Sequence, residues 1–268
     1  MRVKAWDGVF TAPVAGRATK PRKTGYTMVL DKGLGLNGTS DLMATAADYI
    51  DALKLTFGTS AFFETGLLKQ KVEIVRKAGV DIYPGGTFFE VAVWQKSVEK
   101  YLERCHELGF TAIEISDGTI EMDAATRTKV IKAALKSGFK VISEVGKKDP
   151  KDAIGIPMMC AEVESDLALG VFKVIVEARE SGKGVGVMDA SGNVDAAEVE
   201  KIVAGIKNPD NLIWEAPIKN QQLFFITRFG LNVNLGNIPI EDILALEALR
   251  IGLRGDTLKK AWLASLKK

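Results

Sequence analysis

The sequence predicts a single-domain (β/α)8 TIM barrel, and three observations lead to this fold. Eight short apolar runs alternate with helical segments along the 268 residues. The loops between them are short, so consecutive strands should be parallel, and eight parallel strand-helix units close into a ring. No linker or break in composition divides the chain, whose length suits one barrel. An open, doubly wound sheet is the alternative.

The predicted strands are short apolar runs that end at a polar or charged residue. The clearest is the fourth, in which apolar residues alternate with Glu114 and Ser116 before Asp117-Gly118 breaks the run. This pattern is typical of a buried strand that carries a carboxylate at its C-terminal end. We expect the eight strands at residues 26–31, 52–57, 80–83, 111–119, 139–145, 172–177, 212–215 and 231–235.

The segments between the strands have apolar residues at helical spacing. Asp123 is a capping residue before one helix, and Gly79 and Gly109 end two others. Residues 1–24 have no period and are expected to form an N-terminal arm across the barrel or a neighbouring subunit, residues 25–256 the barrel, and residues 257–268 a C-terminal helical tail. The helices are expected at 40–50, 64–78, 88–108, 124–136, 160–169, 196–206, 220–229 and 241–249.

Composition excludes several classes of function. The net charge of +2 from 36 basic and 34 acidic residues gives no global field that would attract nucleic acid or an anionic membrane. The sequence has no apolar run of membrane-spanning length and no signal-peptide pattern at its start, so we expect a cytoplasmic protein.

Histidine and cysteine are too few for many kinds of site. The single histidine, His106, rules out a multi-histidine zinc site, and a serine triad is not expected. Cys105 and Cys160 show no metal or nucleophile pattern and suit a reducing compartment. Any metal ligands would therefore be oxygen atoms, which favours Mg²⁺ or Mn²⁺.

Charged residues recur at the ends of the predicted strands. In a barrel these ends and the loops after them meet at one mouth, so we expect a cleft in which carboxylates and cations are mixed. A set of mutually neutralising ion pairs is the alternative interpretation. The predicted mouth comprises Asp31, Lys54, Gly85, Gly86, Glu114, Asp117, Glu144, Lys147, Glu177, Arg179, Lys183, Glu215, Asn234 and Gly236.

This composition suits a substrate that bears both a carboxylate and a phosphate. Mg²⁺ held by strand-end carboxylates would neutralise charge that develops on an enolate, while lysine or arginine would hold the phosphate. With one histidine, proton transfer would fall to a lysine or a glutamate of shifted pKa. The glycine-rich residues 33–38 lack the full dinucleotide-binding spacing and are weak evidence for a nucleotide.

Seven motifs stand in order along nearly the whole chain. They are Lys54 with Phe57-Gly-Thr59, Tyr83-Pro-Gly-Gly-Thr87, Glu114-Ile-Ser-Asp-Gly118, Glu144-Val-Gly-Lys147, Glu177-Ala-Arg-Glu-Ser-Gly-Lys-Gly184, Glu215-Ala-Pro217 and Leu249-Arg-Ile-Gly-Leu-Arg-Gly-Asp256. Together they resemble the motifs of the phosphosulfolactate synthase family. The resemblance implies a (β/α)8 barrel that adds sulfite to phosphoenolpyruvate with Mg²⁺, giving (2R)-O-phospho-3-sulfolactate, a step in one route to coenzyme M. It also suggests a homo-oligomer, with a trimer as one arrangement.

Within this chemistry each strand-end group receives an expected role. Glu114, Glu144 and Glu177 are the predicted metal ligands. Lys54 or Lys147 is the predicted proton donor, with Glu215 as a further catalytic group. The residues expected to bind the substrates are Gly85, Gly86, Arg179, Ser181, Lys183, Asn234, Gly236 and Asn237.

Two other functions remain open at this point. One is another lyase or aldolase-type barrel that uses an enolate of pyruvate or a related acid. The other is a non-catalytic relative that has kept the barrel, although a binding scaffold would not need so many strand-end charges.

Overall fold

Eight parallel strands form one sheet in the computed structural model, which describes residues 3–267. The hydrogen-bonded order β3-β2-β1-β8-β7-β6-β5-β4 runs round a nearly closed barrel, so the predicted TIM-barrel fold is confirmed. No helix of the described residues is long and apolar enough to cross a membrane. The strands are β1 Thr27–Asp31, β2 Ala52–Leu55, β3 Asp81–Pro84, β4 Ala112–Ile115, β5 Lys140–Val145, β6 Lys173–Val176, β7 Leu212–Glu215 and β8 Leu235–Pro239.

The barrel has a seam between β3 and β4. These two strands, fully described, share no ladder of paired residues. Instead, the N–H of Thr111 donates to the carbonyl of Ile82 at 3.1 Å, and the N–H of Ile82 donates to Thr111 Oγ1 at 3.0 Å. The other seven neighbouring pairs are parallel ladders. The seam is therefore the joint of the barrel that rests least on backbone pairing.

Ten helices of the described residues cover the outside of the barrel. Apolar side chains of the helices and of the outward strand positions form the main core, and a smaller cluster fills the inside of the barrel. The helices are α1 Leu36–Ala46, α2 Thr65–Lys77, α3 Gly86–Trp94, α4 Val98–Leu108, α5 Ala124–Lys136, α6 Ile156–Leu169, α7 Ala196–Ala204, α8 Lys219–Phe229, α9 Ile243–Arg250 and α10 Gly255–Ser265.

Several predicted boundaries were wrong, among them the helix predicted at 40–50, which is Leu36–Ala46. The helix predicted at 88–108 is two helices, α3 and α4, because Lys96 adopts a left-handed conformation (φ 54°) between them. Helix α6 begins at Ile156 rather than Cys160, with Pro157 in its first turn, where a missing N–H is tolerated. Strand β8 begins at Leu235, the last residue of the predicted strand 231–235.

The described part of the N-terminal arm, residues 3–24, lies across the end of the barrel where the strands begin. Arg22 pairs with Asp51, the residue before β2, at 3.3 Å. Arg17 pairs with Glu247 of α9 at 3.0 Å. The arm therefore contacts the barrel at the end opposite to the mouth.

Candidate active site

The side chains at the mouth follow one rule of strand geometry. The inner cluster of the barrel contains Ala52, Ala112, Ile142, Ile175 and Ile213, one from each of five strands. Because side chains alternate across a strand, the residue two positions later also points inward, but at the C-terminal end. Those residues are Lys54, Glu114, Glu144, Glu177 and Glu215, and all five are buried and line one cleft.

The cleft encloses about 140 Å³ at the C-terminal ends of the strands. Its floor is made by these five charged side chains, and its walls come from the loops after the strands. Gly86 lies where a side chain would collide, since a Cβ there would stand 2.6 Å from Ser116 Cβ, whereas a Cβ at Gly85 would make ordinary contacts at 3.4 Å. The lining residues are Lys54, Thr56, Phe57, Gly85, Gly86, Thr87, Glu114, Glu144, Lys148, Glu177, Arg179, Glu180, Glu215 and Asn237.

Lys54 lies at the centre of the floor. Its Nζ is 2.8 Å from Glu114 Oε1, 3.4 Å from Glu144 Oε2 and 3.8 Å from Glu215 Oε1. Burial lowers the pKa of Lys54, but the three carboxylates outweigh it and raise the pKa well above its usual 10.5. Lys54 is therefore a fixed ammonium group in this arrangement.

Lys148 is the second cation of the cleft. Its Nζ is 2.7 Å from Glu144 Oε1, 3.0 Å from Glu177 Oε2 and 3.8 Å from Glu90 Oε1. Burial lowers the pKa of Lys148, and the attraction of Glu144 and Glu177 raises it further than burial lowers it. Unlike Lys54, its side chain is partly exposed, at 25 %, and it stands on a loop.

The carboxylates outnumber these two lysines. Burial raises the pKa of Glu215 from 4.5 to about 7, and the pKa of Glu177 well above its usual value, with repulsion from Glu144 adding to both. Glu144 is the exception, because Lys148 and Lys54 hold its pKa below the usual range despite its burial. The floor therefore has one carboxylate that is firmly ionised and others that retain protons readily.

Ser116 and Glu90 connect these groups to the loop after β4. The hydroxyl of Ser116 lies 2.8 Å from Glu144 Oε1 and 2.9 Å from Glu90 Oε1. Glu90 Oε2 accepts the N–H groups of Thr119 at 2.9 Å and Ile120 at 2.8 Å. The orientation of Glu144 is therefore tied to the loop after β4.

The predicted metal ligands lie in one cleft but do not form a bare carboxylate cluster. Lys54 stands between Glu114 and Glu144, and Lys148 between Glu144 and Glu177. Across residues 3–267, no three of the acidic, histidine or cysteine side chains are grouped so as to hold a metal ion.

Two buried oxygen atoms of the lining still fit a hard cation. Among residues 3–267, Glu114 Oε2 and Asn237 Oδ1 find no hydrogen-bond partner. Mg²⁺ takes oxygen ligands and is commonly held by one or two carboxylates together with water and substrate oxygens. The donor set therefore fits a Mg²⁺ shared with a bound anion, and does not fit one held by three carboxylates.

Most residues predicted for the site line the cleft, and five do not: Lys147, Ser181, Lys183, Asn234 and Gly236. Lys147 turns away from the cleft to Asp117, and Ser181 and Lys183 are exposed and outside the lining. Asn234 lies at the other end of the barrel, where it accepts the N–H of Tyr26 and donates to the carbonyls of Asp210 and Leu212. Its placement at the mouth was wrong because β8 begins later than predicted.

Two other residues predicted at the mouth, Gly236 and Asp31, are packed inside the fold and do not line the cleft. Gly236 is inside β8, where an added Cβ would meet Met28 and Ile213 at 2.9–3.0 Å. Asp31 is fully buried against Lys71 and accepts the N–H groups of Gly33 and Leu34, so it shapes the loop after β1.

Sequence reasoning missed Lys148, Ser116 and Glu90 as members of the site. The motif ending at Lys147 pointed to the wrong one of two adjacent lysines, since the direction of each depends on the turn at Gly146 (φ 110°). Glu90 comes from a helix rather than a strand end, so the strand-end pattern could not indicate it.

The chain is similar to known proteins over most of its length. The family model of (2R)-phospho-3-sulfolactate synthase (ComA) matches residues 15–256. The chain is 46% identical over 246 residues to a phosphosulfolactate synthase of Methanothermobacter thermautotrophicus, covering 91% of this chain and 95% of that protein. It is 40% identical over 250 residues to a phosphosulfolactate synthase of Bacillus subtilis, covering 92% of this chain and 98% of that protein.

A solved structure supports the fold alone. The 3-hexulose-6-phosphate synthase of Salmonella typhimurium superposes with a TM-score of 0.55 at 13% identity, covering 85% of this chain and all of that one (100%).

Proposed function

Because the chain belongs to the phosphosulfolactate synthase family, a family of lyase-type enzymes, we propose that it adds sulfite to phosphoenolpyruvate with Mg²⁺, giving (2R)-O-phospho-3-sulfolactate. The observation that carries the proposal is the cleft in which Lys54 and Lys148 stand among strand-end carboxylates, within a chain that matches the family over residues 15–256.

The reaction brings several negative charges into a cleft that already contains carboxylates. Sulfite, the substrate carboxylate and the phosphate repel one another, and the cations that line the cleft are Lys54, Lys148 and Arg179. Arg179 is exposed at the rim, so it suits the first capture of a phosphate. A further cation would offset the repulsion between the reactants and the carboxylates, which is the physical reason for proposing Mg²⁺.

The bonds that change are few. Sulfur forms a bond to the methylene carbon, the pair of electrons of the carbon–carbon double bond moves toward the carboxylate, and a proton is added to the carbon that bears the phosphate. Bound Mg²⁺ would supply Lewis-acid stabilisation of the charge that develops on the carboxylate. Glu114 Oε2 and Asn237 Oδ1 are the protein oxygens proposed to hold it.

The two lysines have different proposed tasks. Lys54 is buried and bound by three carboxylates, so it serves as a fixed positive charge below the substrate carboxylate. Lys148 stands on a loop and is partly exposed, so it can reach a carbon of the substrate and deliver the proton. Lys148 thus takes the role predicted for Lys147 or Lys54.

³¹P NMR of the protein with phosphoenolpyruvate, sulfite and Mg²⁺ tests the proposal. A new phosphate-ester resonance that requires both sulfite and Mg²⁺ is expected, and Glu144→Gln should remove it while the fold persists. Release of inorganic phosphate would instead favour another enolate-type lyase or aldolase. No reaction in any sample, with a folded protein, would favour the non-catalytic relative.

The number of chains in the assembly can be measured on the same sample. A homo-oligomer, which the family resemblance suggests, is proposed here for this chain. Sedimentation at the assay concentration measures its mass against 29.0 kDa for one chain.

A further inference from the structure

Two adjacent lysines on the loop after β5 point to different partners. Lys148 Nζ reaches Glu144 and Glu177 inside the cleft, at 2.7 Å and 3.0 Å. Lys147 Nζ reaches the loop after β4 instead, 2.7 Å from the carbonyl of Asp117 and 3.0 Å from its Oδ2. Asp117 and Lys147 are both outside the cleft lining.

Asp117 is held firmly from its other side. Arg127 of α5 lies 3.2 Å from Asp117 Oδ1 and donates to the backbone carbonyl of Glu144 at 3.1 Å. Arg127 is itself fixed by Asp166 of α6, which accepts from its Nε and Nη2. A buried guanidinium with charged acceptors in several directions has little freedom, so Asp117 has a fixed position relative to β5.

The two loops are also joined by their backbones. The N–H of Lys148 donates to the carbonyl of Gly118 at 2.9 Å. At Gly146 the backbone turns with φ 110°, where an added Cβ would stand 3.2 Å from Glu177 Cβ. Since Gly146 is free to turn, the contacts of the next two residues decide which lysine enters the cleft.

From this geometry we infer that Asp117 and Lys147 are positioning residues, whose contact holds the loop after β5 so that the ammonium group of Lys148 is directed into the cleft. The inference rests on the proposed function of Lys148. It assigns no contact with substrate to Asp117 or Lys147. Their effect is therefore on the geometry of the reacting lysine and not on substrate binding.

Kinetics of Asp117→Asn, Lys147→Met and the double variant test the inference. Because misplacement of a catalytic group by about 1 Å costs on the order of 100-fold in rate, kcat should fall by about 10-fold to 100-fold. The KM for phosphoenolpyruvate should stay within about 3-fold, since no substrate contact is lost. The double variant should be no slower than the slower single variant, because both changes act on the same contact, that between Asp117 and Lys147.

Lys151→Met, an exposed lysine on the same loop, is the matched control and should have wild-type kcat. Circular dichroism and thermal unfolding exclude variants that have merely lost the fold. Unchanged kcat in both single variants would overturn the inference, as would a rise in KM without a fall in kcat, or losses that multiply in the double variant.

A measurement independent of turnover separates this inference from the proposed function. Acetylation of lysines by acetic anhydride, followed by mass spectrometry, reports how well each ammonium group is protected. Lys148 should react several-fold faster in Asp117→Asn and Lys147→Met than in the wild type, with Lys54 as the internal reference. An inactive wild type would refute the proposed function alone, whereas equal Lys148 reactivity in all proteins would refute the positioning role.

Discussion

Replacing Glu215 by glutamine should make the metal-free protein more stable at pH 8 and change its stability little at pH 5. Glu215 is fully buried, and burial together with Glu144 and Glu114 raises its pKa from 4.5 to about 7. A carboxyl group with a raised folded-state pKa binds more protons in the native state, so stability falls as the pH rises from 4.5 through 7. Because glutamine does not ionise, the variant does not lose stability in this way as the pH rises.

The magnitude follows from this difference in pKa. At 1.36 kcal/mol per pKa unit, ionised Glu215 costs about 3 kcal/mol of folding free energy at pH 8 and less than about 1 kcal/mol at pH 5. For a chain of this size, a change of about 3 kcal/mol corresponds to a shift in Tm of about 6–12 °C. The amide oxygen of glutamine would keep the hydrogen bond from the N–H of Ala178, now 2.8 Å long.

Thermal unfolding in EDTA at pH 5 and pH 8 measures the effect. Glu103→Gln, an exposed change of the same type on α4, is the control and should shift Tm at neither pH. The variant should also lose synthase activity, so that stability and function move in opposite directions. A Glu215→Gln protein no more stable than the wild type at pH 8, or equally stabilised at both pH values, would refute the reasoning.

Three further outcomes are expected. Arg179→Ala should raise the KM for phosphoenolpyruvate by about 10-fold, the effect of one lost charge-assisted contact, whereas Lys183→Ala, outside the cleft, should leave steady-state kinetics unchanged. Mg²⁺ added to the metal-free protein should raise its Tm in scanning calorimetry, and Glu114→Gln should reduce that gain, so an equal gain in both proteins would count against Glu114 as a ligand. Asn234→Ala should lower the free energy of urea unfolding by about 2–4 kcal/mol through its lost hydrogen bonds, with KM unaffected.

The barrel and its five inward charges could be predicted from the sequence because both depend on the period of a strand. Ile142 and Glu144, or Ile213 and Glu215, are two residues apart, and that spacing fixes their common direction. The carboxylates were therefore found without knowledge of any contact between strands.

What sequence reasoning missed depends on contacts between distant segments. The choice between Lys147 and Lys148 is made by Asp117, about thirty residues away on another loop. Glu90 joins the site because α3 folds over the mouth, and no strand pattern indicates that. Asn234 was misplaced because β8 begins at Leu235, which alternation of apolar residues alone did not show.

Carboxylates of the site bridge the seam between β3 and β4. At the mouth, the N–H of Gly86, which follows β3, donates to Glu114 Oε1 at 2.7 Å, and Glu90 of α3 binds two N–H groups of the loop after β4. Acidic side chains of the site thus supply hydrogen bonds across the seam, where the two strands form no ladder. A cation bound at Glu114 would share the carboxylate that accepts the N–H of Gly86, so we expect its binding to weaken that hydrogen bond, and hydrogen exchange at Gly86 then reports occupancy of the cleft from the protein's own backbone.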